Sequence, residues 1–594
     1  MTLKLKKIQQ LNPNKILKQN NRMKIANKIV LPTSMQRMSL LVLILSMVSG
    51  VALHAQTPNN FEVIISRDVE PAINSSQKYY DTPVNTDTAK VTEKINYEFN
   101  AQKINTVYEL DPIKAANVKN EPLTKLYKGL VKGGWGNYNT PYFELFYNTA
   151  RKKEYQTGIH YRHFSSTGEL KNVGFSGFSQ NRLDAYGKTF IGKNTLKGDI
   201  SYDRNVWHYY GFNPKNPELI NLPLNKSDIR QQYQLVKVNA DYSDNLPVDS
   251  LAFKYKVGAG YYNLRDINDF SENYFRLQGN VDYFYKEFKI NGLLKVENWN
   301  NKMASDTSSN TIVQFRPAAK LNREKFKLTA ALNTYFTTGN QNKTYLAPEV
   351  DIEFVVYKNM LLFNLGTDSR LNRNSYASLI SENPFINAFT PLRNTWAPFR
   401  LYAGLKGSLS SKTSFNTQVS YNVADNWAYF VNDSTTGRRN QMTVVYDNPQ
   451  VLRIVGEVFH QRGEKLKLSA KAEIFNILPD AEEQAWHTPL FRTTFTGRYN
   501  LKDKIVATAS IFTFSRQYGR AFNTTTDSAG AKVVTLEQIK IKGFFDLNLG
   551  AEYRYNKRMS AFLQVNNLLA ARWERFLGFP TQRINALAGL TYAF

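Results

Sequence analysis

The stretch Phe545-Asp-Leu-Asn-Leu-Gly-Ala-Glu-Tyr-Arg-Tyr555 alternates apolar and polar residues almost without a break. The same period of two runs through residues 251–262 and 465–474. A β-strand sends successive side chains to opposite faces, whereas a helix would scatter these apolar residues around its circumference. The pattern therefore predicts strands that each carry one apolar face.

Two kinds of connection separate the strands. Short polar turns lie at 285–287, 322–325, 358–359, 410–412, 462–465, 502–504 and 556–558, and longer loops lie at 207–230, 370–396, 425–447, 515–537 and 569–582. Short turns at one rim and long loops at the other are typical of outer-membrane barrels. Soluble β-sandwiches are the alternative, but they do not segregate their connections in this way.

The composition agrees with a barrel. Mean hydropathy is −0.45 although the chain contains 35 Tyr and 37 Phe, and no run of eighteen apolar residues exists, which excludes a helical membrane protein. For residues 123–594 we predict an all-β fold, a transmembrane antiparallel β-barrel of roughly 22 strands with about ten residues in each. The short turns would face the periplasm and the long loops the outside.

Two further segments precede the barrel. Residues 1–55 combine nine Lys and Arg and no acid with the apolar run 40–48 and a small residue at Ala55, which predicts a secretory signal peptide. A buried or membrane-spanning helix is the alternative, but the run is too short to span. Residues 56–122 are rich in Asn, Asp, Thr, Lys and Pro. They predict a short periplasmic N-terminal extension that either fills the lumen as a partial plug or stays outside it.

The charge and the missing residue types limit the function. The formal charge of +27 falls to +18 once the nine basic residues of the leader are removed. Export excludes nucleic acid as the partner of this positive charge, so lipopolysaccharide or an acidic solute is expected. The absence of cysteine excludes disulfides, thiolate metal sites and a cysteine nucleophile.

No catalytic motif stands out, so we expect no enzyme and no cofactor, although a triad assembled from distant strands is an alternative. His160 and His163 lie three apart on a predicted strand and point to opposite faces, which argues against a shared metal. Asp266, Asp269 and Glu272 fit a solvated surface loop better than a calcium site.

The C-terminal residues carry a resemblance. Gln564-Val-Asn-Asn567-Leu-Leu569, Arg572-Trp-Glu574, Gly578-Phe-Pro580 and Gly589-Leu-Thr-Tyr-Ala-Phe594 together resemble the end of TonB-dependent receptors, and the Asn, Lys and Tyr content resembles their Bacteroidota members. The last strand, with Leu590, Tyr592 and Phe594 on one face, looks like the signal that the barrel-assembly machinery reads. The resemblance implies a Gram-negative cell outer membrane as the location. The plug domain of such receptors is not recognisable here.

The resemblance implies a receptor or channel that binds or translocates a solute, and the alternative is a non-conducting structural or assembly subunit of an outer-membrane complex. The segment Phe61, Glu62, Val63, Ile64 and Ile65 is either a TonB-box-like strand or an extended segment that pairs with something else. Expected partners are outer-membrane lipid and lipopolysaccharide, the barrel-assembly machinery, and TonB or other outer-membrane or periplasmic proteins.

Five lysines are predicted to face the lumen: Lys254, Lys256, Lys465, Lys467 and Lys471. They would favour an acidic solute, or they belong to an ordinary charged and solvated lumen wall. Aromatic residues near strand ends are predicted to form the interfacial girdles, among them Trp135, Trp207, Tyr209, Tyr210 and Trp573.

Overall fold

The computed structural model describes residues 126–594 except 151, 169, 216–224, 246–252, 304–305, 340–341, 358–359, 435–439 and 527–531. The predicted signal peptide 1–55, the predicted extension 56–122 and the TonB-box-like segment 61–65 lie outside the described residues.

Twenty-two strands form one antiparallel sheet. They are β1 (Gly129–Gly136), β2 (Thr140–Asn148), β3 (Tyr155–Ser166), β4 (Phe178–Ile191), β5 (Asn194–His208), β6 (Arg230–Asp244), β7 (Phe253–Asp266), β8 (Phe270–Tyr285), β9 (Phe288–Met303), β10 (Asp306–Asn322), β11 (Phe326–Gly339), β12 (Lys343–Tyr357), β13 (Leu361–Asn372), β14 (Thr395–Ser410), β15 (Thr413–Val423), β18 (Gln450–Arg462), β19 (Leu466–Leu478), β20 (Phe491–Leu501), β21 (Ile505–Phe514), β24 (Phe544–Arg554), β25 (Met559–Asn566) and β28 (Asn585–Ala593).

The sheet closes on itself, because the last strand, β28, pairs with the first, β1. At this seam the Phe594 N–H donates to the Gly129 carbonyl and the Gly129 N–H donates to the Phe594 carbonyl, both at 2.9 Å. Closure removes the free edges that a flat sheet would expose. The predicted 22-stranded barrel is thereby confirmed.

The outer face is apolar over a belt about ten residues tall, as the hydrocarbon core requires. On β8 the exposed apolar residues run from Phe275 to Tyr285, and the next outward positions above them are the polar Asn273 and Ser271. The prediction of about ten residues per strand describes the apolar belt but is wrong for the full length of several strands. Strand β10 has 17 residues, and β8 and β9 have 16 each. The strands continue beyond the apolar belt and build a raised rim.

The long loops lie at one rim as predicted, and the predicted short turns lie at the other. The separation is incomplete, because the three-residue turns 137–139 and 267–269 also lie at the long-loop rim. We call the long-loop rim the extracellular rim. Its loops carry structure of their own: helix α1 (Tyr376–Glu382) and the hairpins β16 (Trp427–Asn432) with β17 (Met442–Asp447), β22 (Gln517–Thr526) with β23 (Lys532–Ile541), and β26 (Glu574–Phe576) with β27 (Phe579–Pro580). Within the described part of the chain, no helix has both the length and the apolarity to cross a bilayer.

Candidate functional site

The extracellular loops fold over the mouth of the barrel and share one apolar core. We call this assembly the loop cap and define it as residues 209–215, 225–229, 373–394, 424–434, 440–449 and 567–584. Its buried members include Tyr209, Phe385, Ile386, Phe430, Met442, Phe576 and Phe579.

The loop cap crosses the mouth. The β5–β6 loop and the β15–β18 loop leave the barrel about half a circumference apart, yet the Asn440 side chain donates to the Tyr209 carbonyl at 2.5 Å. The Tyr210 hydroxyl donates to the Pro580 carbonyl at 3.1 Å, which adds the β25–β28 loop. Segments from distant walls can meet in this way only by extending across the opening, so the described loops close much of the extracellular mouth.

Aromatic packing stabilises the loop cap. Phe385 and Phe579 stack with ring centroids 3.9 Å apart and an interplanar angle of 13°, and Tyr210 packs edge-on against both. Burying a Phe side chain contributes about 1.5–3 kcal/mol. Phe389, in the same loop as Phe385, is 76% exposed and has no share in this core.

His487, from the neighbouring β19–β20 loop, joins two segments of the loop cap. Its Nδ1 lies 2.8 Å from the Phe430 carbonyl and its Nε2 lies 3.1 Å from the Leu577 N–H. Nδ1 must donate and Nε2 must accept, so the ring is neutral. Burial lowers the pKa of His487 to about 4. The imidazole therefore ties the β15–β18 loop to the β25–β28 loop only while it carries a single proton.

The root of the β13–β14 loop is fixed to the barrel wall. Glu272 of β8 accepts the N–H groups of Tyr376 and Ala377 at 2.8 and 3.2 Å, and it also accepts the Tyr262 hydroxyl at 2.8 Å. The N–H groups of Tyr376 and Ala377 belong to the first turn of helix α1, where backbone donors have no acceptor within the helix. The predicted solvated loop is wrong for Glu272, whose side chain is fully buried.

A cavity of about 560 Å³ lies between the loop cap and the barrel wall, on the side of strands β13 to β21. We call it the chamber. Trp427, Tyr429, Phe430, Trp486 and Phe576 line it from the loops, and Phe475 lines it from the wall. This volume and this mixture of aromatic and polar groups fit a small-molecule site.

Arginine dominates the charge of the chamber. Its five arginines are Arg370, Arg400, Arg453, Arg492 and Arg575, whereas only Asp368 and Glu382 among its lining residues are acidic. The positive excess persists when Glu473, which lies behind the wall arginines, is counted as well.

The wall arginines form two groups, and in each group two arginines share one carboxylate. Arg400 grips Asp368 with Nε at 2.9 Å and a terminal nitrogen at 2.6 Å, and Arg370 reaches the same carboxylate at 3.2 Å. Glu473 accepts Arg453 at 2.5 Å and Arg492 at 2.6 Å. Each group holds two guanidinium ions against one carboxylate, so each keeps one net positive charge and spare donors. An anionic group in the chamber would meet preorganised forks of the kind that bind carboxylate and phosphate.

The structure separates the five predicted lumen lysines. Lys256 pairs with Asp241 at 3.3 Å and Lys471 with Glu457 at 3.2 Å, both inside the barrel. Lys254 lies opposite Asp282 in the strand register, and Lys467 lies opposite Arg498. Lys465 lies in the turn before β19, with its Nζ 5.7 Å from the ring centroid of Tyr499. None of the five lines the chamber, and their role in solute selection stays a prediction.

The other predicted residues are also located. Leu590, Tyr592 and Phe594 are exposed on the outer face of β28, and their role as an assembly signal stays a prediction. His160 lies between Glu144 and Asp184 inside the barrel, whereas His163 bonds to Asn181 on the outer face. Among the described residues, no group of three or more His, Cys, Asp or Glu is arranged to hold a metal ion.

The predicted girdle is wrong for four of its aromatic residues. Tyr209 is 4% exposed and belongs to the loop cap, as does Tyr210. Trp207 stacks on Phe178 and meets Phe385, and Trp573 stacks on Phe544 while it donates to Asp546 at 3.0 Å. Trp135 alone of the five is exposed on the outer wall. Aromatic residues in the long loops were the sequence signal for the loop cap.

Comparisons with solved structures support the same architecture. The chain is similar to the FrpB iron transporter of Neisseria meningitidis (TM-score 0.59, 12% identity, covering 80% of this chain and 82% of that one). It is also similar to the pyoverdine receptor FpvA of Pseudomonas aeruginosa PAO1 (0.59, 11%, 80% and 79%). The siderophore receptor PirA of Acinetobacter baumannii matches as well (0.60, 10%, 80% and 81%).

The fold is a closed 22-stranded antiparallel β-barrel, which these outer-membrane structures share. At these identities the likeness concerns the fold alone, and at that level the resemblance to TonB-dependent receptors is confirmed. No family model matches the sequence, and no curated protein matches it.

Proposed function

We propose that this chain is an outer-membrane receptor that admits a negatively charged solute from outside into the chamber when the loop cap opens. The observation that carries the proposal is the chamber itself, a cavity of about 560 Å³ with five arginines and an aromatic lining, placed directly behind the loops that cover the mouth. A barrel that served only as a docking platform would need no such cavity.

The chemistry of the solute follows from the arginine groups. Asp368 and Glu473 each hold two guanidinium ions in place, and neither neutralises both. Fixed guanidinium forks favour carboxylate or phosphate oxygens, and the aromatic lining favours a flat or apolar body behind the charge. The iron transporter and the siderophore receptors named above share the fold, which supports solute uptake as the role.

Two further parts of the proposal concern chemistry and partners. The similar structures are described as transporters and receptors, which supports a role without catalysis. We propose TonB or another periplasmic protein as the partner that drives transport, and the barrel-assembly machinery and lipopolysaccharide as partners in the membrane.

The chain has no cysteine, so a single introduced thiol reports on access to the chamber. Asn422 is an uncharged residue of the chamber lining, so its replacement removes no ion pair. In whole cells, Asn422→Cys in the full chain should react slowly with a membrane-impermeant maleimide. Phe385→Ala removes the stack on Phe579 and should raise the labelling rate at least about tenfold. Phe389→Ala is the matched control and should leave the rate unchanged.

Equal rates with and without Phe385→Ala would show that the loop cap is not the barrier to the chamber. Labelling in neither variant would show that the chamber has no path to the outside, and the role of a non-conducting structural or assembly subunit would then replace the receptor.

A further inference from the structure

The apolar belt of the outer wall ends, on strands β3 to β10, at a continuous polar collar. Along the register, Arg204 is the next outward residue above Tyr202, and Gln234 is the next above Val236. The eight first polar positions on these strands are His163, Asn181, Arg204, Gln234, Asn263, Asn273, Asn298 and Thr311. None of the eight is a carboxylate.

Three arginines stand in this collar on adjacent strands. Arg204 and Arg230 donate to the same oxygen, Oε1 of Gln232, at 2.8 and 2.7 Å. Gln234 on β6 lies opposite both Arg204 on β5 and Arg265 on β7. The Nε of Arg265 donates to the Asn263 side chain at 3.1 Å.

These three cations have amide partners instead of acidic ones. In the part of the chain that the structure describes, no ion pair includes any of them. Asp203 and Asp266, which adjoin Arg204 and Arg265 along the chain, stand at the alternate, inward positions of their strands. Asp203 lies 3.8 Å from Arg182, and Asp266 accepts hydrogen bonds from Gln231, Asn268 and Phe270. Two guanidinium ions that share one neutral oxygen repel each other. An anion placed beside them would offset this repulsion and use their remaining donors.

The position selects the kind of anion. The site lies on the open outer wall and not in a cavity, and the exposed side chains of Tyr202, Val236 and Ile200 lie directly below it. A group bound here would have its charge at the level of the arginines and its apolar part against the belt. A lipid with an anionic headgroup has this shape.

We propose that Arg204, Arg230 and Arg265 form a binding site for the phosphate groups of an outer-leaflet glycolipid, whose acyl chains lie along β5 and β6. Arginine forks bind phosphate oxygens in pairs, which gives the site a preference for phosphate over a simple neutral headgroup. The site is separate from the chamber and does not depend on the receptor function.

The test uses the full chain in neutral detergent, with native mass spectrometry to measure bound bisphosphorylated lipid A. We expect Arg204→Gln with Arg230→Gln to weaken binding by about tenfold or more. Arg462→Gln with Lys557→Gln removes two positive charges at the opposite rim and should leave binding unchanged. Arg204→Lys with Arg230→Lys keeps the charge without the forks and should recover only part of the affinity. An unchanged strand signal in circular dichroism would show that each variant is folded.

Three outcomes would overturn the proposal. Equal binding of lipid A stripped of both phosphates would show that the acyl chains alone are held. Displacement of lipid A by inorganic phosphate at equal concentration would show a site for free phosphate instead of a lipid. Loss of binding only in the periplasmic-rim control would contradict the location.

Discussion

At the scale of single residues, the loop cap depends on a few polar groups that have no substitute. His487 is one of them, because both of its ring nitrogens are used by main-chain groups of different loops. A second proton would place a donor at Nε2 against the Leu577 N–H and break that contact. Since burial holds the pKa of His487 at about 4, the closed state excludes that proton over most of the acid range.

This gives the closed state a defined pH dependence. The ordinary pKa of histidine is about 6.5, so an opened loop cap takes up a proton below that pH while the closed one stays neutral. Closure therefore weakens as the pH falls from about 6.5 to about 4. The labelling rate of Asn422→Cys, divided by that of the exposed Phe389→Cys, should rise several-fold between pH 7 and pH 5.

The control for this titration is His487→Gln, which keeps a donor and an acceptor but does not take up a proton. The ratio of labelling rates should then be flat over the same range. An equally steep pH dependence in His487→Gln would assign the effect to another group.

At the scale of elements, helix α1 shows how the barrel wall imposes structure on a loop. Seven residues are too few to form a stable helix in water. Ser375 accepts the Ser378 N–H at the N-terminus, and Glu272 satisfies two more donors from the wall. The helix exists because β8 presents a carboxylate at that point.

Removal of that carboxylate should release the loop. Glu272→Ala leaves the Tyr376 and Ala377 N–H groups buried without acceptors, at about 1–3 kcal/mol each. We expect faster amide hydrogen exchange in residues 376–382. Glu382→Ala, in the same helix with a side chain 60% exposed, should change the exchange by less than about 0.5 kcal/mol. Equal protection in the two variants would refute the anchoring role of Glu272.

The elements also show what the sequence could predict. Strands such as β24 could be identified because lipid on one side and water on the other impose a strict period of two. The loop cap could not be predicted. Tyr209 and Phe385 lie 176 positions apart, and only closure of the sheet brings their loops together. An aromatic residue near a strand end fits an interfacial girdle as well as it fits a loop core, so the sequence alone predicts Tyr209 and Trp573 to be girdle residues.

The chamber was missed for a similar reason. Arg400, Arg453 and Arg492 stand on three strands that are far apart along the chain, and each occupies an ordinary inward position. Nothing local distinguishes them from the lysines at other inward positions. Their convergence depends on the strand register, which fixes Glu473 between Arg453 and Arg492.

At the scale of the whole molecule, the barrel depends on the seam between β1 and β28. Gly589 and Gly134 lie opposite each other there, and a Cβ on Gly589 would stand 2.1 Å from the Gly133 carbonyl oxygen. Two strands can approach this closely only if one of them lacks a side chain.

We therefore expect Gly589→Ala to destabilise the closed barrel by about 1–3 kcal/mol. A Cβ on Gly133, on the facing strand, would have no atom within 4 Å, so Gly133→Ala is the matched control and should be nearly neutral. Urea unfolding of the two variants in detergent, followed by tryptophan fluorescence, would compare them. Equal midpoints would contradict a sterically tight seam.

The shared core of the extracellular loops has a mechanical consequence. If the four loops moved independently, a molecule could enter wherever any one of them moved away from the mouth. Here each loop packs against loops that leave the barrel on other sides of the rim. Moving one loop outward therefore exposes apolar surface on the others. The covering is expected to behave as a single unit with a closed and an open position. Under the proposed receptor function, the covering would therefore open as one unit and not loop by loop.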